Sequence, residues 1–214
     1  MRPVGILGGM GPEATILLMQ KVLGAVEATD DADHVPLIVH QNPQVPSRIA
    51  ALIDGRGEDP APVLRAMALG LKKAGAEALA MPCNTAHHYA GAVSDLGLPF
   101  LDMIEATSKR LSGRVGMLAS PAVRRVGVFD ESFAAHGVEP VWAEEDALLT
   151  LIQGVKAGRL DAGEMRRIAE CFEGVDHLLV ACTELSLMTD ALDGLPWIDS
   201  LDVLTDEIVA FARS

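Results

Sequence analysis

Apolar positions fall into two patterns along this chain. Short apolar runs bounded by glycine or polar turns read as buried strands. Residues 4–7 (VGIL), 37–40 (LIVH), 78–81 (ALAM), 98–101 (LPFL), 115–118 (VGML), 138–142 (VEPVW), 177–180 (HLLV) and 197–198 (WI) are of this kind. Between them, apolar residues recur at intervals of three and four, the mark of an amphipathic helix. Ala14, Leu17, Leu18, Val22 and Ala25 follow a glycine-rich turn over 8–12 whose Pro12 suits a first helical turn. Leu64, Met67, Ala68 and Leu71 define a helix over 61–74 that Gly75 stops. Further helices are predicted over 103–111, over 123–135, and from the acidic residues Glu144, Glu145 and Asp146. Asp161 and Glu164 form a capping arrangement for the stripe Met165, Ile168, Ala169 and Phe172, and Cys171 within that pattern is expected to pack in the core. Ser200 is the expected cap of a closing helix bearing Leu201, Leu204, Ile208 and Phe211.

Strands alternate with helices throughout, which predicts largely parallel sheets. The two halves also rhyme. Each opens on VGxL (VGILGG, then VGMLAS) and later delivers a cysteine from the end of a strand. The expected fold is therefore α/β: two similar Rossmann-like lobes with mainly parallel sheets and an active site in the cleft between them. The lobes are placed at residues 1–98 and 99–196, with a C-terminal helix over 197–214 returning to the first.

Those cysteines carry the chemistry. Cys83 stands in MPCNTAHH and Cys182 in VACTEL; each follows a strand and precedes residues that open helices. A thiol at a helix N-terminus has its thiolate favoured, below an ordinary pKa of about 8.5. One thiolate and one thiol across a cleft are a base and an acid. Together they could remove a Cα proton from one face and return one to the other, inverting the centre without a cofactor. Such a reaction needs donors aimed at the developing enolate, and Asn84, Thr85 and Thr183 are available. His87 and His88 make no metal-ligand spacing with Cys83 and are assigned to surface or packing; no metal is expected. The turn GGMGPE can hold an anion on its amides but lacks the GxGxxG dinucleotide spacing. Arg48 ends the loop QNPQVPSR at a strand's carboxyl end, where α/β sheets bind ligands. It is either a solvated loop arginine or a bidentate carboxylate clamp.

Composition narrows the partners. The 214 residues are half apolar but only 4% aromatic, with a net charge of −13, which argues against nucleic acid and anionic membranes. No apolar run approaches the roughly 20 residues of a membrane span, and the first residues form no signal peptide. Three cysteines without a CxxC pair fit free thiols in a reducing cytoplasm.

GILGGMGPEAT, NPQVPSR, MPCNTAH and ACTE, in that order, resemble the aspartate/glutamate racemase superfamily, closest to its aspartate racemase branch. Glu184 stands where glutamate racemases usually carry histidine. The resemblance implies racemisation without pyridoxal phosphate, a small acidic amino acid as substrate, aspartate before glutamate or a broader range, and a homodimer. It makes Cys83 and Cys182 the acid/base thiols and places Met10, Asn84, Thr85, Thr183 and Glu184 around the substrate. Arg48 and Lys156 would hold substrate carboxylates. One stretch departs from the pattern: after residues 115–118 the chain reads ASPAVRRVG. Ser120 replaces one expected hydroxyl, Ala122 and Val123 stand where Gly and Thr are expected, and Arg124 or Arg125 is the candidate compensation. Competing readings are isomerisation or decarboxylation of a dicarboxylate with one cysteine, a thiol redox protein, or a non-catalytic amino-acid-binding protein.

Overall fold

In the computed structural model, which describes all 214 residues, eight strands form two separate four-stranded sheets. β1 (Val4–Gly8), β2 (Leu37–Gln41), β3 (Ala78–Ala80) and β4 (Phe100–Leu101) lie in the order β2-β1-β3-β4. β5 (Gly113–Ala119), β6 (Val138–Trp142), β7 (His177–Ala181) and β8 (Trp197–Asp199) lie in the order β6-β5-β7-β8. The two orders are the same path drawn twice, and every strand pair is parallel. The fold is α/β with two lobes, as the alternation of patterns predicts. The sheets divide the chain slightly differently from residues 98 and 196. Leu79 pairs with Phe100, which holds β4 on the first sheet, and Leu178 pairs with Trp197, which holds β8 on the second.

Both faces of each sheet are covered. Successive strand residues point to opposite faces. Val4 and Ile6 therefore pack with Leu18 and Val22 of α1 (Pro12–Gly24) and with Leu201, Leu204 and Ile208 of α9 (Ser200–Arg213). Leu7 and Leu79 point the other way, onto Leu64, Met67 and Leu71 of α3 (Ala61–Lys73). In the second lobe Leu118, Leu178 and Val180 meet α7 (Glu145–Lys156) and α8 (Ala162–Glu170). On the reverse face, Val115 and Met117 pack with Phe129 and Phe133. The recurrent glycine of VGxL has a steric origin. A Cβ at Gly5 would stand 2.9 Å from Ala76 Cβ, and one at Gly116 would stand 2.8 Å from Leu178 Cδ2. Each lobe needs a bare backbone there so that its cover can approach the central strand.

Several local expectations are corrected. The helix expected over 123–135 is two: α5 (Pro121–Val126) and α6 (Asp130–His136), separated where Gly127 turns left-handed at φ +62°. The helix expected over 103–111 ends sooner, as α4 (Met103–Ser108), whose first amides Asp102 caps. The closing helix is capped by Asp199, which accepts from the Leu201 amide; the Ser200 hydroxyl instead donates to Val180 O. Cys171 is exposed rather than packed in the core, and its thiol donates to Arg167 O. α8 ends at Glu170 and leaves Cys171 as its C-cap, past the buried stripe of Met165, Ile168 and Ala169. The segments after both cysteines are 3-10 turns, over Thr85–Ala92 and Leu185–Leu192, not α-helices. The stretch ending at Arg48 passes directly into a short helix, α2 (Arg48–Leu52), with Ser47 accepting from the Ala50 amide as its cap. No helix is long and apolar enough to cross a membrane.

Candidate active site

In each sheet the chain steps outward one way from the first strand and the other way through the third. The crevice at such a reversal, outside the carboxyl ends of the strands, is where open α/β sheets bind ligands. β1 delivers Met10 to this position and β3 delivers Cys83; in the second lobe β5 delivers Ser120 and β7 delivers Cys182. The two crevices face each other across a small cavity of about 70 Å³. All ten candidate residues line it: Met10, Arg48, Cys83, Asn84, Thr85, Ser120, Lys156, Cys182, Thr183 and Glu184. Leu149 and Ile152 also line it and have no candidate role in the sequence patterns. With Lys156 they occupy one face of α7 at intervals of three and four, so the position of Lys156 marks them.

The lobes are cross-braced beside the thiols. Asn84, next to Cys83, donates through Nδ2 to Ser200 Oγ at 3.1 Å. Thr183, next to Cys182, donates to Pro82 O at 3.3 Å. Thr85 Oγ1 and Ser120 Oγ approach to 3.4 Å, each from its own lobe. Asn84 Oδ1 is buried and has no partner. His87 is buried as part of this frame. Its Nε2 accepts from the Met103 amide, so the ring proton is on Nδ1 and donates to Cys83 O at 2.9 Å. Burial holds its pKa down, keeping the ring neutral. His88 is exposed.

The electrostatics correct one expectation. Neither thiol is lowered by its setting. Burial pushes both up, Cys182 well above the ordinary range. Backbone amides do reach the sulfurs, from Ala86 to Cys83 and from Glu184 to Cys182, but desolvation outweighs them. The neighbours differ. Cys83 feels Arg48, and then Glu184 and Lys156 with opposite signs. Cys182 Sγ donates to Glu184 Oε2 at 3.2 Å, while Glu184 Oε1 pairs with Lys156 Nζ at 3.2 Å. Burial works against the Lys156 charge, yet Glu184 and the two thiols hold its pKa above the usual value. Arg48 folds its guanidinium onto Val45 O and Pro46 O at the cavity wall. The expected compensation at the altered turn is not there: Arg124 and Arg125 pair with Glu145, outside the cavity lining.

Residues 7–208 match the Asp/Glu/hydantoin racemase family. The broad specificity amino-acid racemase RacX of Bacillus subtilis is 25% identical over 97% of this chain and 96% of its own. The aspartate racemase of Picrophilus torridus superposes with a TM-score of 0.91 at 27% identity, covering 100% of this chain and 95% of its own. An aspartate racemase homologue from Pyrococcus horikoshii shares the fold at 21% identity, with a TM-score of 0.75 and full coverage of both chains. The chain thus belongs to the Asp/Glu/hydantoin racemase family and is an amino-acid racemase, an isomerase.

Proposed function

We propose that the protein inverts Cα of an acidic amino acid, aspartate first and glutamate or a broader range next, without a cofactor and with Cys83 and Cys182 as its two acid/base groups. The observation that supports this is the placement of two cysteines on equivalent strands of two matching sheets, lining one cavity that also holds two cations. In this reading one sulfur, as thiolate, takes the Cα proton. The C–H electron pair moves into the α-carboxylate, which takes enolate character, and the opposite thiol returns a proton to the other face. Arg48 and Lys156 hold the two carboxylates of the substrate. Met10 and Thr183 line the walls, and the paired hydroxyls of Thr85 and Ser120 stand where donors can follow the growing charge. Asn84 lines the same cavity beside Cys83. The exposed apolar stripe of Ile16, Met19 and Leu23 on α1 supports a homodimer, which light scattering would test.

The deciding experiment incubates each enantiomer of a panel of amino acids in deuterium oxide, following chirality and Cα deuterium together. Inversion with exchange is expected for aspartate, glutamate or both. Neither inversion nor exchange for any acidic amino acid would sink the reading. Cys83→Ser and Cys182→Ser should each abolish racemisation in both directions. A near wild-type rate in either variant would leave only one-cysteine chemistry.

A further inference from the structure

The two thiols occupy equivalent positions but not equivalent company. Cys182 Sγ lies 3.2 Å from Glu184 Oε2 and is its hydrogen-bond donor. Glu184 is buried between that sulfur and Lys156 Nζ, 3.2 Å from its other oxygen. Across Gly11, a Cβ would stand 3.5 Å from Glu13 Oε2 and 3.7 Å from Glu184 Oε1, so a second carboxylate borders the same corner. Cys83 has no hydrogen bond to a carboxylate; after burial, the charge that acts on it most is that of Arg48.

We propose that Glu184 is a positioning residue that keeps Cys182 protonated, so that Cys83 is the thiol that ionises first in the unliganded enzyme. This rests on the two-thiol reading above. A carboxylate can accept a hydrogen bond from S–H but can only repel S⁻, so the contact stabilises the protonated form alone. Lys156 moderates the effect by neutralising part of the Glu184 charge. The directions of the two thiol pKa values agree with this: the carboxylate raises Cys182 both as a charge and as an acceptor, and Arg48 draws Cys83 back.

The test needs no substrate, so it is separate from whether the protein racemises any particular amino acid. The intact protein is alkylated with iodoacetamide from pH 6 to 10, and the rates at Cys83 and Cys182 are read separately by peptide mass mapping. In the wild type the inflection for Cys83 should fall below that for Cys182. Glu184→Gln should move the Cys182 inflection down by at least about one pH unit, raising its rate near pH 8 roughly tenfold. Cys83 should move less. Lys156→Met, which leaves Glu184 uncompensated, should move Cys182 the opposite way. General loosening of the cleft would speed alkylation in both variants, so opposite signs separate the electrostatic role from a structural one. If Cys182 titrates below Cys83 in the wild type, or if Glu184→Gln leaves its inflection in place or raises it, the proposal fails. Should Glu184→Gln not fold, Glu184→Asp with Lys156→Met carries the test: a Cys182 inflection that Lys156→Met leaves unchanged or lowers overturns it.

Discussion

Asp199 offers a quantitative test of how the frame of the site is built. Its carboxyl is almost fully buried at the turn from β8 into α9. Oδ1 accepts from the Leu201 amide and from Ser186 Oγ, both at 2.9 Å, while Oδ2 is buried without a partner. Lys21 Nζ is 4.0 Å away and is drawn instead to Asp202. Burial pushes the Asp199 pKa up to about 7, against the hydrogen bonds that favour its charge. The unfolded value is near 3.9. Between those values the folded chain keeps a proton that the unfolded chain has released. Stability from this group must therefore fall as pH rises through the window from about 4 to about 7, and level off above it. At about 1.4 kcal/mol per pH unit the whole window is worth about 4 kcal/mol, and the part above pH 5 nearer 3 kcal/mol. Asp199→Asn keeps an Oδ1 acceptor and cannot ionise. Urea unfolding of both proteins at pH 5 and pH 8 isolates the effect, because any fixed cost of the amide cancels between the two pH values. Buried His87, whose neutral form the fold favours, is lost as stability when pH drops below about 6.5, and is shared by both proteins. The variant should gain about 3 kcal/mol on the wild type between pH 5 and pH 8. A gain below about 1 kcal/mol would refute the burial argument for Asp199.

Other outcomes follow from single contacts. Gly5→Ala should destabilise the protein by about 1–3 kcal/mol, because the new methyl would meet the fixed Ala76 and Leu71 Cβ atoms at 2.9 and 3.1 Å. Gly116→Ala should cost less in the same chemical denaturation, since its nearest neighbours, the Leu178 methyl and the Phe172 ring, are side-chain atoms beyond Cβ that can shift. Arg124→Ala should change kcat/KM by no more than roughly twofold, the scale of an ordinary surface change, because the side chain pairs with Glu145 and stacks over Trp142 away from the cavity. A tenfold loss would show that the altered turn does recruit it.

How much could be read from the residues alone depended on whether a feature is periodic. The strands are short apolar runs, and the two sheets follow from their alternation with helices. The equivalence of Cys83 and Cys182 was visible because each ends such a run. Single-residue contacts were less legible. Cys171 falls inside an amphipathic pattern, yet α8 ends at Glu170 and leaves Cys171 exposed as its C-cap. Gly127 breaks an apolar pattern that continues on both sides of it. Either Asp199 or Ser200 could cap α9, and the choice depends on Asn84 and Val180, which come from elsewhere in the chain. The thiol environment was misread for a related reason. A strand end followed by polar residues signals amide donors but is silent on how completely the second lobe closes over the sulfur.

The cover of the first sheet has a consequence for how the chain is made. Val4, Ile6 and Leu18 pack against Leu201, Leu204 and Ile208, which are synthesised roughly 180 to 200 residues later. At ordinary elongation rates of about 5–20 residues per second, the part of that apolar face which α1 does not cover stays exposed for on the order of ten seconds or more. The first lobe is therefore not a self-contained folding unit during translation. Its cover is completed only when α9, the last element of the chain, is carried back across the molecule.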